Sequence, residues 1–146
     1  MSYAGNRVIY DADGHIMELP THLREFADPD VRELIPLTSY SASSVTEEEV
    51  AVLVAQGGRH SDDHIDRFLS LGDGLIAESK EIQALGAFDG SHRSQALDML
   101  GFKKQIIFST LSAKAPFSAT LETHVKYGAV RAHTRAMTAF CGADDR

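Results

Sequence analysis

The sequence predicts an α/β fold, and three observations predict it. Two runs of β-branched and aromatic residues, 7–13 and 105–109, have the nearly continuous apolar pattern of strands buried on both faces of a parallel sheet. Segments with helical spacing and capping residues lie between the two runs and after the second one. The order strand, helices, strand, helix over 146 residues is that of one α/β domain.

The first strand is predicted over residues 7–13, and it stops at Gly14. A helical turn is expected over 20–27, and Asp28 followed by Pro29 predicts the start of a second short helix that reaches Leu34. The Ser-rich segment that follows is predicted to be an exposed loop.

A helical excursion is predicted between the two strands, over residues 37–89. Thr46 and Glu49 have the spacing of a capping box, so a helix is expected to begin there. Ser61 is the expected N-cap of the next helix, and a further helical stretch is predicted over 73–85. The excursion is long for a connection between a strand and a helix.

The last third of the chain predicts a helix, a strand and a helix. The helix over 92–100 is closed by Gly101, the residue type expected at a helix C-cap. The strand over 105–109 follows, and a long final helix is expected to begin at Ser118 or Thr120.

Composition and charge exclude some partners. The chain is 43% hydrophobic and 24% charged, as soluble globular chains are. Its net charge of -7 repels phosphate backbones and anionic lipid surfaces, and its apolar stretches are far shorter than the roughly 20 residues of a membrane span. We therefore expect neither nucleic acid nor membrane as a partner.

The termini and the cysteine content indicate a cellular compartment. No apolar segment follows a basic start, so we expect no signal peptide. Cys141 is the only cysteine, which excludes an internal disulfide and thiolate metal clusters within one chain. These features favour a reducing cytoplasm, and we expect Cys141 itself to be a small buried apolar residue.

A metal site is predicted at the end of the first strand, on the motif Asp11-Ala-Asp13-Gly-His15. Side chains two apart on a strand point the same way, so Asp13 and His15 would share a face, with Asp11 in line behind them as support. A carboxylate and an imidazole both suit zinc or manganese. The alternative is a turn at Asp13-Gly14, with His15 as a hydrogen-bonded loop residue.

Other polar residues have simpler expected roles. His22 and Glu18 are predicted in the loop that leaves the first strand, where they could approach a substrate, although surface packing is the alternative for His22. His60 and His64 are expected to be an exposed pair on a polar helical segment.

Three segments carry a resemblance to a known family. Residues 9–20 (IYDADGHIMELP), 93–109 (RSQALDMLGFKKQIIFS) and 132–141 (AHTRAMTAFC) resemble, in order, segments of the amidohydrolase-related family. That family includes aminocarboxymuconate-semialdehyde decarboxylase and related metal-dependent hydrolases. Together the three segments span nearly the whole sequence.

The resemblance implies a fold and a ligand pair. It identifies the chain as the N-terminal portion of a (β/α)8 TIM barrel, so that residues 1–146 are a single partial domain and the barrel is incomplete. Asp13 and His15 match the first pair of metal ligands, where many relatives carry His-x-His. The family's further His and Asp ligands come from later strands, which this chain does not reach.

The resemblance also implies a function. We expect a metal-dependent hydrolase in which zinc, or manganese, activates water against a carbonyl-type centre of a small-molecule substrate. One alternative is a non-oxidative decarboxylase of the same family. The other alternative is a truncated non-catalytic fragment, inactive in isolation, that forms a homo-oligomer or binds a complementing C-terminal fragment through its unfinished sheet.

Overall fold

The sheet is two-stranded and parallel. A computed structural model describes residues 2–78 and 81–146. Strand β1 spans Ile9–Ile16, strand β2 spans Phe102–Ser109, and the two pair in parallel. The chain is therefore a mixed α/β protein, as its sequence predicts, and its strands pair across a connection of more than 80 residues, from Met17 to Gly101.

Helices occupy most of the remaining described chain. The α-helices are α1 (His22–Glu25), α2 (Glu47–Ala55), α3 (Asp62–Leu69), α4 (Gly90–Leu100) and α5 (Thr123–Cys141). Short 3-10 helices lie at Arg32–Leu34, Gly72–Ala77, Glu81–Gln83 and Ser112–Phe117. In the part of the chain that the structure describes, no helix is both long and apolar enough to cross a membrane.

Three of the predicted capping residues are confirmed, whereas Asp28 does not cap a helix, because the turn after it begins at Arg32 with Val31 before it. Thr46 and Glu49 form the reciprocal capping box of α2, and the Ser61 hydroxyl accepts the His64 N–H at the start of α3. Gly101 ends α4 with φ 74°, a left-handed conformation that glycine adopts without a steric penalty.

Two predicted helices form only 3-10 turns. The segment after Asp28 is helical only at Arg32–Leu34. The segment predicted over 73–85 splits into Gly72–Ala77 and Glu81–Gln83, and residues 79 and 80 lie outside the described residues. Two glycines in the first of these turns disfavour an α-helix by about 1 kcal/mol each. The final helix begins later than predicted, at Thr123.

The expectation that both strands are buried on both faces is wrong. Buried and exposed positions alternate over much of the sheet, and one face carries Tyr10, Ile106 and Phe108, which are 67%, 57% and 46% exposed. We call these three residues the open sheet face. An apolar run along a strand does not reveal whether a covering layer is present on each side.

The apolar core lies beside the sheet, in clusters built mainly by helices and connecting segments. One cluster joins α1 to α5, the next joins the segment after β1 to α2, and the last joins α3 to α4. Their fully buried members, under 2% exposed, include Val31, Ile35, Phe68, Ile82, Ala129 and Ala132.

The chain returns to the sheet after α5. The Arg146 carbonyl accepts the Gln105 N–H at 2.8 Å, so the last residue lies along the edge of β2. The Arg146 guanidinium pairs with Asp98 at 2.6 Å and with Asp144 at 2.5 Å. These contacts fix the last residues of the chain against α4.

Candidate metal site

A β-bulge shapes the end of β1. Asp11 pairs with Gln105 and Gly14 with Ile107, so Ala12 and Asp13 together oppose a single residue of β2. The extra residue changes which side chains share a face. The strand also continues to Ile16, so the Asp-Gly-His motif lies inside the strand and does not form the turn considered as an alternative.

Asp13 and His15 lie together on the exposed side of the sheet. His15 Nε2 is 3.3 Å from Asp13 Oδ1, and their side chains are 47% and 90% exposed, respectively. The His15 ring also lies against Phe108, with ring centroids 5.8 Å apart. The predicted projection of the acid and the imidazole toward one point is therefore present.

A hydrogen bond to Thr110 orients the His15 ring. Thr110 follows β2 directly, and its hydroxyl donates to the Ile16 carbonyl at 2.6 Å. The same oxygen lies 3.2 Å from His15 Nδ1 and is left to act as an acceptor. This arrangement assigns the hydrogen of the neutral ring to Nδ1 and turns the Nε2 lone pair toward Asp13.

Asp11 does not line up behind the pair, because the bulge turns it to the other face. Its Oδ2 accepts from Gln105 Nε2 at 2.5 Å, and its Oδ1 accepts the Asp13 N–H at 3.0 Å. Asp11 thus holds the backbone of the bulge and does not approach the Asp13 carboxylate from behind. A Cβ at Gly14 would lie 2.6 Å from Gln105 Cδ, so a larger residue there would displace the Gln105 side chain that Asp11 contacts.

Arg93 of α4 holds the site in place by hydrogen bonds from the buried side of the sheet. Its guanidinium donates to the His15 carbonyl at 2.6 Å, to the Gly86 carbonyl at 2.9 Å and to Gln105 Oε1 at 3.1 Å. Burial lowers the pKa of Arg93, but a guanidinium remains charged in proteins. The sequence pattern around Arg93 does not indicate this role.

An open cavity of about 560 Å³ adjoins the pair. Its walls are largely apolar and come from β1, α4 and the segments around residues 75–87. The lining includes Asp13, His15, Glu81, Leu85, Arg93 and Leu97. Asp11, Asp13 and His15 all border this cavity.

Glu18 does not lie in an exposed substrate loop, because its side chain is fully buried at 0% exposure. Its carboxylate accepts the Leu111 N–H at 3.0 Å, and the hydroxyls of Ser109 and Ser112 also donate to it. Burial raises the pKa of this carboxyl, but the hydrogen bonds outweigh burial and hold the pKa below its usual value. These contacts give Glu18 a structural role that joins the ends of the two strands.

His22 lies away from the Asp13–His15 pair. It lines a separate cavity of about 330 Å³, together with Glu25 and Phe140. Its Nε2 is buried and has no hydrogen-bond partner among the residues that the structure describes, and burial lowers the pKa of the ring. The contacts of His22 favour the packing role over contact with a substrate at Asp13.

Two further expectations are wrong. His60 is 4% exposed, and its ring stacks at 4.3 Å on that of His64, which is half-buried, so the two do not form an exposed pair. Cys141 is exposed. Residue polarity predicts neither position. The two histidines contact backbone carbonyl groups at Ile82 and Gln83. Cys141 lies on the outward side of α5.

A complete metal-binding group is not formed by the described residues. No set of three or more His, Cys, Asp or Glu side chains in residues 2–78 and 81–146 has an arrangement that could hold a metal ion. The comparisons with known proteins add no ligands, since no family model, no curated protein and no solved structure matches the chain. Asp13 and His15 are thus a pair of candidate ligands.

Proposed function

We propose that Asp13 and His15 are two ligands of a divalent metal ion in an amidohydrolase-type enzyme site, and that the chain is part of a (β/α)8 barrel. The parallel pairing of β1 and β2 and the exposure of both side chains support this proposal. The proposed activity is that of a hydrolase that uses a zinc or manganese ion and acts on a small-molecule substrate.

The observation that carries the proposal is the 3.3 Å separation of His15 Nε2 and Asp13 Oδ1. A tetrahedral zinc ion with nitrogen and oxygen ligands at about 2.1 Å places these two atoms roughly 3.4 Å apart. An imidazole lone pair and a carboxylate oxygen repel each other at this distance unless a proton or a cation lies between them. The Nδ1 contact with Thr110 resembles the outer hydrogen bonds that orient metal-binding histidines.

The chain's own residues would hold and orient the ion. Asp13 supplies one negative charge, His15 supplies a neutral nitrogen, and Arg93 fixes the His15 backbone. A bound divalent ion supplies Lewis-acid activation of water and polarisation of a carbonyl centre. The apolar walls of the adjoining cavity would surround the rest of a substrate. A decarboxylase of the same family would use the same pair.

The test is calorimetric titration of the chain with zinc chloride and, separately, with manganese chloride. We expect zinc to bind, and we expect Asp13→Asn and His15→Ala each to weaken binding by at least about tenfold. His124→Ala is the matched control, because His124 is exposed on α5, away from the sheet. Equal zinc affinity in all four proteins would refute the assignment, and circular dichroism would check that the variants keep the fold.

A second candidate function is association without catalysis, and the open sheet face favours it. Tyr10, Ile106 and Phe108 expose apolar area on adjacent strands, and contiguous apolar area is typical of contact surfaces. In this alternative the chain forms a homo-oligomer or binds a complementing chain over that face. Zinc binding by a monomer would favour the enzyme proposal, whereas self-association without zinc binding would favour the alternative.

A further inference from the structure

A column of four aromatic rings joins α3 to the segments around residues 82–88. The His60 ring packs against Phe88, with centroids 4.8 Å apart, and stacks on His64 at 4.3 Å with an interplanar angle of 21°. The His64 ring stacks in turn on Phe68 at 4.6 Å. Neither histidine takes part in the proposed metal site.

Both histidines of this column hold the same short turn. His60 Nε2 is 2.9 Å from the Ile82 carbonyl, and His64 Nε2 is 2.9 Å from the adjacent Gln83 carbonyl. A carbonyl only accepts, so each Nε2 must carry a hydrogen. In each neutral ring the second nitrogen, Nδ1, is therefore the atom that takes up the next proton.

The turn that they hold, Glu81–Gln83, has a strained backbone. Glu81 has φ 57°, in the left-handed region that residues with a Cβ rarely adopt. Ser44 donates to the Glu81 carboxylate at 2.6 Å, and Gln83 donates to Glu49 at 3.3 Å. Because strained backbone persists only where its surroundings hold it, loss of the two histidine contacts would favour opening of the turn.

The turn also forms part of the wall of the large cavity. Glu81 lines that cavity, as do Ala84 and Leu85 just after the turn, and Asp13 and His15 line it from β1. Opening of the turn would therefore change the cavity beside the proposed metal ligands. The histidine column and the cavity wall are linked through two consecutive peptide units.

Most of the titratable groups near His60 disfavour a positive charge on its ring. His64 on α3 and His92 on α4 both act against its protonation, and Asp89 before α4 is the carboxylate that favours it. Asp89 already caps α4 through the His92 N–H and lies 3.7 Å from the His92 ring. Burial is the largest influence and lowers the pKa of His60. The hydrogen bond to the Ile82 carbonyl acts in the opposite direction, but the pKa remains below its usual value, so the packed column favours the neutral ring.

We propose that His60 and His64 form an acid-sensitive latch: protonation of the two stacked rings at Nδ1 drives these rings apart, releases the carbonyls of Ile82 and Gln83, and opens the cavity wall. Two imidazolium ions stacked at 4.3 Å repel each other, and a buried cation without a paired anion is costly. The latch is closed while the His60 ring is neutral and opens as the pH falls through the lowered pKa of His60. It does not depend on the metal proposal.

The test is amide hydrogen exchange at about pH 7.5 and about pH 5.5, corrected for intrinsic rates, because histidines change charge in this range. We expect protection of the amides of residues 82–87 to fall by at least about threefold at the lower pH, while the amides of α5 keep theirs. Unchanged protection at both pH values would overturn the proposal. An equal loss in α5 would also overturn it, since that result means global unfolding.

Variants separate the latch from other acid effects. His64→Phe keeps an aromatic ring between His60 and Phe68 but cannot take up a proton, so we expect it to lose most of the acid response. His124→Phe is the control and should respond like the unsubstituted chain. An unreduced response in His64→Phe would overturn the proposal. If that variant does not fold, a proton NMR titration of the unsubstituted chain decides: His60 must titrate over the same pH range in which residues 82–87 open.

Discussion

At the scale of single residues, the most demanding position is Glu18. A fully buried carboxylate is tolerated only when donors surround it, and here hydroxyls and backbone N–H groups from the segment after β2 supply them. The carboxylate gathers N–H groups at the start of the turn Ser112–Phe117, as an anion does in a backbone nest. One side chain thus determines how the two strand ends meet.

We predict that Glu18→Gln lowers the free energy of unfolding by roughly 3 kcal/mol, because a neutral amide accepts fewer hydrogen bonds and brings an N–H group among donors. Urea unfolding followed by circular dichroism measures the change. Glu48→Gln is the control, because Glu48 is exposed on α2, and it should change stability by less than about 0.5 kcal/mol. A Glu18→Gln variant as stable as this control would contradict the structural role.

At the scale of secondary-structure elements, the junction before α4 depends on a close backbone approach. Gly86 has φ 73°, and a Cβ there would lie 2.4 Å from the Arg93 backbone, which cannot move aside cheaply. Gly57 has nearly the same conformation, with φ 77°, but a Cβ there would meet nothing within 4 Å. A comparison of the two positions therefore separates the free-energy cost of a left-handed backbone from the free-energy cost of a steric clash.

We predict that Gly86→Ala destabilises the protein much more than Gly57→Ala. The control should lose about 1 kcal/mol from the left-handed backbone alone, and Gly86→Ala should lose at least about 2 kcal/mol more through displacement of α4. Thermal unfolding of both variants measures the difference. Equal losses would show that α4 does not hold its place through this contact.

The sequence predicted elements best where short-range chemistry decides the structure. Thr46, Ser61 and Gly101 act on neighbours within four residues, so their capping roles could be read directly. The bulge at Asp13 could not be predicted, since it depends on the register against β2, about 90 residues away. The alternation of side chains along a strand predicted that Asp13 and His15 share a face. The face occupied by Asp11 depends on the bulge and was therefore not predicted.

At the scale of the whole molecule, the sheet is covered unevenly. Helices and connecting segments pack against one side, while the open sheet face of Tyr10, Ile106 and Phe108 meets solvent together with the proposed metal ligands. Soluble monomers rarely expose large contiguous apolar patches. This face is therefore the surface on which any association of the chain would depend.

We predict that Phe108→Lys reduces self-association, because a charge in the middle of the open sheet face opposes burial of that face. Sedimentation velocity over a range of protein concentrations measures the effect. Phe117→Lys is the matched control, since Phe117 is 86% exposed and lies outside the strands. If Phe117→Lys reduces association and Phe108→Lys does not, the contact surface lies elsewhere.

We also predict that stability falls as the solution becomes acidic. Burial lowers the pKa of His22 below its usual 6.5, so its contribution is fully present above that pH and is lost as the pH falls through the lower folded value. Glu18, whose pKa lies below its usual 4.5, adds a further loss at lower pH. Urea midpoints at several pH values measure this, and His22→Phe should reduce the first loss, to which His60 also contributes. A constant midpoint between about pH 7.5 and pH 5.5 would contradict the prediction.

The long separation of the two strands also has a kinetic consequence. Asp11 accepts a hydrogen bond from a residue 94 positions further along the chain. Strand β1 therefore stays unpaired until the ribosome has made the intervening segment. At about 5–20 residues per second that delay lasts roughly 5–20 s, during which the edges of β1 are available to chaperones or to other nascent chains. When the full-length chain refolds in vitro, the same sequence separation predicts slow pairing of the two strands and a need for dilute conditions.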